Sequence, residues 1–398
     1  MPNFRAKSLK PVELVAKKDA VEFVWEAHSN NGTKLIFTKV EDAEFFILVK
    51  SSKDAIVVKG EKISKPARIG ILQKALLAYR DLAQAEIINE AVELNKNRLV
   101  KKDSQIIEIN EFEAELKNLA DKFKRIFIEI GFGSGRHLLY QASQNPNTLI
   151  IGIEVYKPSI EQVAKLAKAQ NLQNIRLLNT DARLVMALLK SNSIDKIFLH
   201  FPVPWPKAPH RRVASEAFAL ECERILKDGG CFELRTDEKD YASYTAECFL
   251  SLHSPKLSIA KNKDLSVISK YEARWRKLEK DIYDIAYHCD TISTELENAG
   301  DFSFNTILSP ELILREFKDT TIKKDGYFFH LERAYKTSQN AALLRVSLGG
   351  FYAPEHCYLL ITDKNISYFI KAPLRTKDNL KAHEAMRDFL NAEYNKRK

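Results

Sequence analysis

The chain has 398 residues, 45% hydrophobic and 29% charged, which is the composition of a globular protein of two or three domains. It contains no run of about 18 apolar residues and its basic N-terminus lacks a signal-peptide core, so we expect no membrane span and a cytoplasmic location. Five scattered cysteines without a C-x-x-C pair argue against a disulfide framework or a zinc site, and we expect no metal. The net charge of +9 favours a polyanionic partner.

Residues 1–100 are predicted to form an N-terminal α+β extension. The stretches at 21–28 and 33–40 alternate apolar and polar residues, and Asn31-Gly32 between them is a hairpin signal. Helical spacing follows from Pro66 to about Asn95. The polar segment 95–105 is a candidate linker.

Residues 106–290 are predicted to form an α/β domain, because short apolar runs alternate with helical segments and the runs are apolar on both faces. The predicted strands lie at 125–130, 148–155, 175–179, 194–201, 230–236 and 281–289. The predicted helices lie near 135–145, 158–170, 182–191, 215–227 and 240–250.

Residues 291–398 return to alternating strands and are predicted to form a C-terminal α+β extension, closed by a helix from about Lys377 to Glu393. Both flanks place a helix after strands, which is a weak indication of an internal repeat, although no residue motif recurs. Whether the chain is a monomer or a homodimer stays open.

Three alternating glycines, Gly131, Gly133 and Gly135, follow the first strand of the central region. They allow a sharp strand-to-helix turn and close approach of a ligand. The spacing G-x-G-x-G, unlike G-x-G-x-x-G, fits S-adenosylmethionine better than a pyrophosphate cofactor. Glu129, just before the turn, also disfavours a phosphate and suits an amine-bearing ligand.

Two further carboxylates follow the next two predicted strands. Glu154 is positioned to accept hydrogen bonds from ribose hydroxyls, and Asp181-Ala182 from the adenine amino group. The alternative for Asp181 is a helix N-cap.

The segment FPVPWPK at 201–207 is a rigid loop, because its three prolines cannot lie inside a helix or a central strand. Trp205 is expected either to stack on a base or to pack under the loop. Lys207, Arg211 and Arg212 are predicted to contact phosphates, the alternative being a solvated helix entry.

These motifs, with Thr236-Asp237 and Ser269-Lys-Tyr-Glu272, resemble the tRNA (guanine-N7-)-methyltransferases over about residues 105–290. The resemblance implies a Rossmann-like class I methyltransferase sheet, S-adenosylmethionine as methyl donor and a guanosine of the tRNA variable loop, expected at position 46, as target. Carried over by position, Glu129, Glu154, Asp181 and the glycines resemble donor-binding residues. Asp237, Ser269 and Glu272 resemble base-binding ones.

Val203 departs from the family pattern, which usually has aspartate in Phe-Pro-Asp-Pro-Trp. Guanine N7 carries an in-plane lone pair and no proton, so its methylation needs alignment and no general base. We therefore expect an active enzyme with a rearranged base site and assign no certain catalytic residue. The alternatives are a non-catalytic tRNA-binding protein on a methyltransferase scaffold and a methyltransferase acting on another RNA.

Overall fold

The computed structural model describes residues 2–52, 54–66, 68–92, 104–119, 121–296, 300–351 and 354–395. The chain divides into two compact units, one of residues 1–100 with 298–398 and the other of residues 101–297. Most of the predicted linker at 95–105 lies outside the described residues. No helix in the described ranges is long and apolar enough to cross a membrane.

The described part of the first hundred residues forms a run of strands and one long helix. These elements are β1 (Asn3–Ala6), β2 (Ala16–Lys18), β3 (Val21–His28), β4 (Thr33–Val40), β5 (Ala43–Ser51), β6 (Ile56–Gly60), α1 (Ile69–Leu82) and β7 (Ile87–Glu90). Helix α1 is shorter than predicted, because the chain turns at Gln84, which has a φ of 43°, and returns as β7.

The central unit alternates strands and helices. Its strands are β8 (Ile106–Ile107), β9 (Arg125–Ile130), β10 (Thr148–Ile153), β11 (Ile175–Leu178), β12 (Ile194–His200), β13 (Leu226–Thr236), β14 (Leu257–Lys261) and β15 (Tyr283–His288). Its helices are α2 (Phe112–Leu119), α3 (Arg136–Gln144), α4 (Lys157–Ala169), α5 (Ala182–Leu188), α6 (Glu216–Ile225), α7 (Lys239–Leu250) and α8 (Lys270–Lys277), with 3-10 turns at Ile109–Glu111 and Pro209–Arg211.

The remaining elements belong to the C-terminal segment. They are α9 (Pro310–Glu316), β16 (Thr320–Lys323), β17 (Tyr327–Thr337), β18 (Ala342–Gly350), β19 (Glu355–Ile361), β20 (Ile366–Phe369) and α10 (Lys377–Tyr394).

The sheet of the central unit has the order β14-β15-β13-β12-β9-β10-β11-β8 and agrees with the predicted α/β domain. Strands β8 to β13 pair in parallel, and β15 runs antiparallel between β13 and β14. The two faces carry different helices. Phe127 of β9 packs with α3 and α4, whereas Phe232 of β13 stacks on Phe249 of α7.

The register aligns the carboxyl ends of the parallel strands. Ile130, the last residue of β9, pairs with Ile153 of β10 and with Leu199 of β12, and Ile153 pairs with Leu178 of β11. The segments that leave these strands therefore lie side by side, which is where open α/β sheets bind ligands.

The first and last segments, predicted as two additions, share one 12-stranded sheet in the structure. Its main path, β20-β19-β18-β17-β3-β4-β5-β6-β1-β7, has the pair β3–β17 near its centre. From this pair, each half runs through three further strands in sequence order before its helix, α1 or α10. This arrangement supports the internal repeat, for which the sequence gives only a weak indication.

The flanking unit buries apolar side chains on both faces of this sheet. One layer packs under α1 and another under α10. On the opposite face, Phe37 of β4 lies 4.9 Å from Phe369 of β20, and Phe46 of β5 lies 5.2 Å from Tyr358 of β19, centroid to centroid. Strands far apart in the order are thus in contact, so the sheet curls over a shared aromatic layer.

Candidate active site

The glycine turn after β9 has the backbone that its sequence predicts. Gly131, Gly133 and Gly135 have φ values of 70°, 52° and 71°, a region that favours glycine. A Cβ on Gly135 would lie 2.4 Å from Cγ2 of Val163 in α4, so this glycine lets α3 and α4 approach. A Cβ on Gly131 would meet no atom within 4 Å, so this side of the turn is open to a ligand.

Glu154 lies directly after β10 and its carboxylate is fixed by the backbone. Oε2 accepts from the Gly133 N–H at 3.1 Å, and Oε1 accepts from the N–H groups of Val155 and Tyr156 at 2.8 and 2.9 Å. The side-chain amide of Asn179 donates to the carbonyls of Glu154 and Val155. Three carboxyl ends of the sheet are therefore tied together, with Glu154 in the middle.

Asp181 is the N-cap of α5, which is the alternative that the sequence left open. Its Oδ1 accepts from the Arg183 N–H at 2.9 Å, and its Oδ2 lies 2.6 Å from Nη2 of Arg183. Burial acts to raise the pKa of Asp181, but the hydrogen bonds and charge of Arg183 lower it overall. Ala182, the next residue, is buried as the first residue of α5.

Glu129 is only 3% exposed and lies beneath the glycine turn. Its Oε2 is 2.8 Å from Nδ1 of His137, whose ring centroid is 4.5 Å from that of His200. His200 in turn lies 3.0 Å from Oε1 of Glu233, whose pKa falls to about 2 because the hydrogen bond and charges of the two histidines outweigh its burial. The sequence analysis missed this cluster of two carboxylates and two imidazoles, which is buried except for the partly exposed Glu233.

The proline loop leaves β12 through strained backbone. Phe201 and Trp205 have φ values of 50° and 43°, which are uncommon for residues other than glycine. Val203 is 62% exposed and offers no polar group. Trp205 is 37% exposed, with the guanidinium of Arg211 5.0 Å from its ring centroid.

Arg212 holds this loop in place. Its Nε donates to the Pro204 carbonyl at 2.8 Å, and its guanidinium lies 5.2 and 5.0 Å from the rings of Tyr241 and Tyr244. Lys207 and Arg211 are exposed, whereas Arg212 is half-buried. The three predicted phosphate ligands thus have different surroundings.

Asp237 follows β13 at the same edge of the sheet. Its Oδ2 lies 2.6 Å from Nζ of Lys280, which also sits 4.1 Å from the ring centroid of Trp275. This ion pair links the end of β13 to the segment after α8.

Helix α8 begins at Ser269, whose Oγ accepts from the Glu272 N–H at 3.0 Å. Glu272 is 1% exposed and accepts from Arg235 of β13 and from Arg276. Tyr271, on the outer side, places Cε2 3.9 Å from the position of a Cβ on Gly133. Helix α8 is therefore adjacent to the glycine turn, and the motif near residue 270 reaches the motif near residue 131.

The structure thus brings the glycine turn, Glu154 and α8 together at one edge. The sequence analysis did not identify Arg235 or Tyr271 as residues of the site. Arg235 gave no usable signal, since it is a single cation inside a strand. Tyr271 lies inside the Ser-Lys-Tyr-Glu motif and was available to it.

Comparison with known proteins matches residues 124–285 to a family described as "Putative methyltransferase". The tRNA (guanine-N(7)-)-methyltransferase of Campylobacter fetus is 49% identical over 98% of this chain and 99% of that protein. The enzymes of the same name from Campylobacter jejuni and Helicobacter pylori are 46% and 36% identical, over 99% and 98% of this chain and 100% and 98% of theirs.

Among solved structures, a 16S rRNA (adenine(1408)-N(1))-methyltransferase mutant from Catenulisporales acidiphilia gives a TM-score of 0.35 at 17% identity. It covers 46% of this chain and 93% of that one. The three relatives, in contrast, match almost from end to end, so the flanking unit is part of the likeness and the predicted family is confirmed. The chain belongs to the tRNA (guanine-N7-)-methyltransferases, the enzymes that methylate N7 of guanine in tRNA.

Proposed function

We propose that the chain uses S-adenosylmethionine as methyl donor, bound at the edge formed by the glycine turn, Glu154 and the start of α5. The observation that carries the proposal is the fixed carboxylate of Glu154. A carboxylate has about four acceptor positions, and three are occupied by backbone N–H groups. The remaining one is held ready for a ribose hydroxyl, so little order has to be gained on binding.

The electrostatics of this edge favour a cationic donor. Glu154 and Asp181 follow β10 and β11, and Glu129 is buried beneath the glycine turn at the end of the neighbouring strand β9. Glu129 and Asp181 are paired with His137 and Arg183, so the charge that repels a pyrophosphate and attracts a sulfonium and an amino group is mainly that of Glu154. Gly131 leaves open space for the donor, and the buried Ala182 places only a methyl group at the start of α5.

The target guanine is proposed to enter between the proline loop and α8. Guanine N7 brings its own lone pair, so the residues of this chain need only align the base with the methyl group. Ser269 accepts one hydrogen bond from Glu272 N–H and retains its own O–H for the base. Asp237 retains Oδ1 as an acceptor for guanine N–H groups, since Lys280 engages Oδ2.

Glu272 is assigned a supporting role in this scheme. Its two oxygens are already engaged by two arginines, so it holds α8 in place. Val203 contributes no polar contact. Recognition of the base therefore depends on Asp237, Ser269 and the stacking surface of Trp205 rather than on the aspartate usual in the family.

The tRNA target is proposed to be the guanosine at position 46 of the variable loop, in the cytoplasm. Lys207 and Arg211 are exposed beside the loop and are proposed to contact the backbone of the RNA, with Arg212 positioning them. The non-catalytic alternative predicts no turnover, and the other-RNA alternative predicts transfer to a different substrate.

The test is methyl transfer from labelled S-adenosylmethionine to an unmodified tRNA transcript, with chemical cleavage at N7-methylguanine to map the label. Label at guanosine 46, absent from a transcript carrying adenosine there, supports the proposal. Label at another guanine of the tRNA contradicts the proposed target position. Donor binding without transfer to any tRNA overturns the assigned substrate, and no donor binding overturns the donor site.

A further inference from the structure

The positive charge of the chain is concentrated outside the unit that holds the candidate active site. Of the net charge of +9, residues 1–100 carry +4 and residues 298–398 carry another +4, which leaves +1 for residues 101–297. An enzyme acting on a polyanion gains association rate and affinity from such charge. The flanking unit is therefore the place to look for a second contact with RNA.

One face of the flanking sheet brings three cations together. In the register of β5, β6 and β1, Lys50 pairs with Val57 and Val57 with Arg5. One step along the strands, Leu48 pairs with Lys59. Neighbouring strands lie about 4.8 Å apart, so Arg5, Lys50 and Lys59, here called the basic face, lie within about 10 Å of one another.

The basic face is not neutralised. Arg5, Lys50 and Lys59 are exposed, and no carboxylate of the described residues lies within ion-pair distance of them. Other lysines of the same segment do have partners, such as the half-buried Lys39 with Glu44 and the exposed Lys74 with Glu41. Three like charges within a Debye length, about 10 Å at 0.1 M salt, repel one another unless an anion binds between them.

We propose that the basic face binds the phosphate backbone of tRNA, as a contact separate from the methyl-transfer site. The proposal rests on the proposed function in one respect, that tRNA is the substrate. The cross-strand row through Lys50 continues to Thr33 and Asn89 and carries no aromatic side chain. The face therefore offers charge without a stacking surface, which suits phosphates. Contacts of this kind bind tRNA independently of its base sequence.

The test replaces the three cations together, as Arg5→Gln, Lys50→Gln and Lys59→Gln, in the full chain. A matched control replaces Lys364, Lys377 and Lys381 by Gln. These lysines are exposed in the C-terminal segment, and their replacement removes the same amount of charge. Binding of unmodified tRNA is measured between 50 and 200 mM KCl, with kcat and KM for methyl transfer. For the basic-face variant we expect the slope of log affinity against log salt to shrink by about 2 to 3, KM for tRNA to rise about tenfold or more, and kcat to stay unchanged.

An unchanged salt slope in the basic-face variant overturns the proposal, and so does an equal loss in the control, because net charge alone would then explain both. Intact tRNA binding with an altered oligomeric state assigns the face to a protein partner and also overturns it. If the triple variant does not fold, Lys50→Gln and Lys59→Gln are measured singly, each expected to reduce the slope by about 1. If the chain without substitutions transfers no methyl group, the proposed function is contradicted. Binding of tRNA by the basic face is measured in a separate assay and does not depend on transfer.

Discussion

Arg235 and Glu272 form a two-pronged ion pair between side chains that are 0% and 1% exposed, with Nε 3.0 Å from Oε2 and Nη2 2.9 Å from Oε1. Arg235 also donates to Asp284 and to the carbonyl of Lys263. Removing one member of a buried pair leaves an uncompensated charge. The pair therefore fixes α8 against the sheet beside the glycine turn.

Glu272→Gln should lower the free energy of unfolding by about 1.5–3 kcal/mol, because Arg235 would lose one of its two buried carboxylate partners and keep only Asp284. Urea unfolding measures this effect, and Glu247→Gln on the exposed side of α7 is the control, expected to change stability little. A Glu272→Gln protein of full stability with lost tRNA turnover would instead make Glu272 a base-binding residue.

Alanine at two glycines of the turn should separate folding from donor binding. At Gly131, which has open space, the cost is mainly that of a left-handed backbone, about 1–2 kcal/mol, and donor affinity should fall. At Gly135 the added methyl group also meets Val163, so stability should fall further. Calorimetric titration with S-adenosylmethionine measures the donor affinity of both variants, and thermal unfolding measures their stability. Equal stability of the two variants would contradict it.

Val203→Asp should change kcat/KM for tRNA by only a few-fold, because N7 needs no general base and recognition is already provided by other residues. Steady-state methyl transfer checks this, with Val203→Asn as a control of similar size without charge. A gain of several orders of magnitude would show that the valine disables the base site.

Replacing Arg211 and Arg212 together by Gln should weaken tRNA binding and flatten its salt dependence. The single variants should differ. Arg211→Gln should reduce the salt slope by about 1. Arg212→Gln should mainly lower kcat, since the Arg212 guanidinium packs against the rings of Tyr241 and Tyr244 and its Nε anchors the Pro204 carbonyl. An unchanged slope in the double variant would remove both arginines from the RNA interface.

Protonated His137 should stabilise the fold. Burial alone would lower its pKa, but the charge and hydrogen bond of Glu129 raise it overall. A raised pKa gives stability that is fully present below the ordinary value of about 6.5 and is lost as pH rises through the raised value. The difference in unfolding free energy between the unmodified chain and His137→Gln should therefore narrow as pH increases from 6 to 9. A difference that widens over this range would contradict the prediction.

The glycine turn was predictable because its signal is local. Three alternate glycines after an apolar strand indicate a sharp turn, and all three adopt a positive φ in it. The cap at Asp181 was foreseen as an alternative for the same reason. Such features are decided by a few consecutive residues.

The cluster of carboxylates and histidines beneath the glycine turn was not predictable, because its two halves are distant in sequence. His137 of α3 meets His200 of β12 only in the fold, and the register of β12 against β13 brings Glu233 to His200. The shared flanking sheet has the same origin, since its central pairing joins β3 to β17. No periodicity within either segment encodes such a partner.

That central pairing also constrains the order of events during synthesis. Ser338 Oγ accepts from the Glu26 N–H, a contact that spans 312 residues, and His28 pairs with Lys336. At translation rates of about 5–20 residues per second, the edge of β3 waits some tens of seconds for its neighbour while the whole central unit emerges from the ribosome. The central unit is continuous in sequence and can fold in that interval. The basic face on β1, β5 and β6 is complete at the same early stage, so a nascent chain carries these three exposed cations before the sheet has its second half.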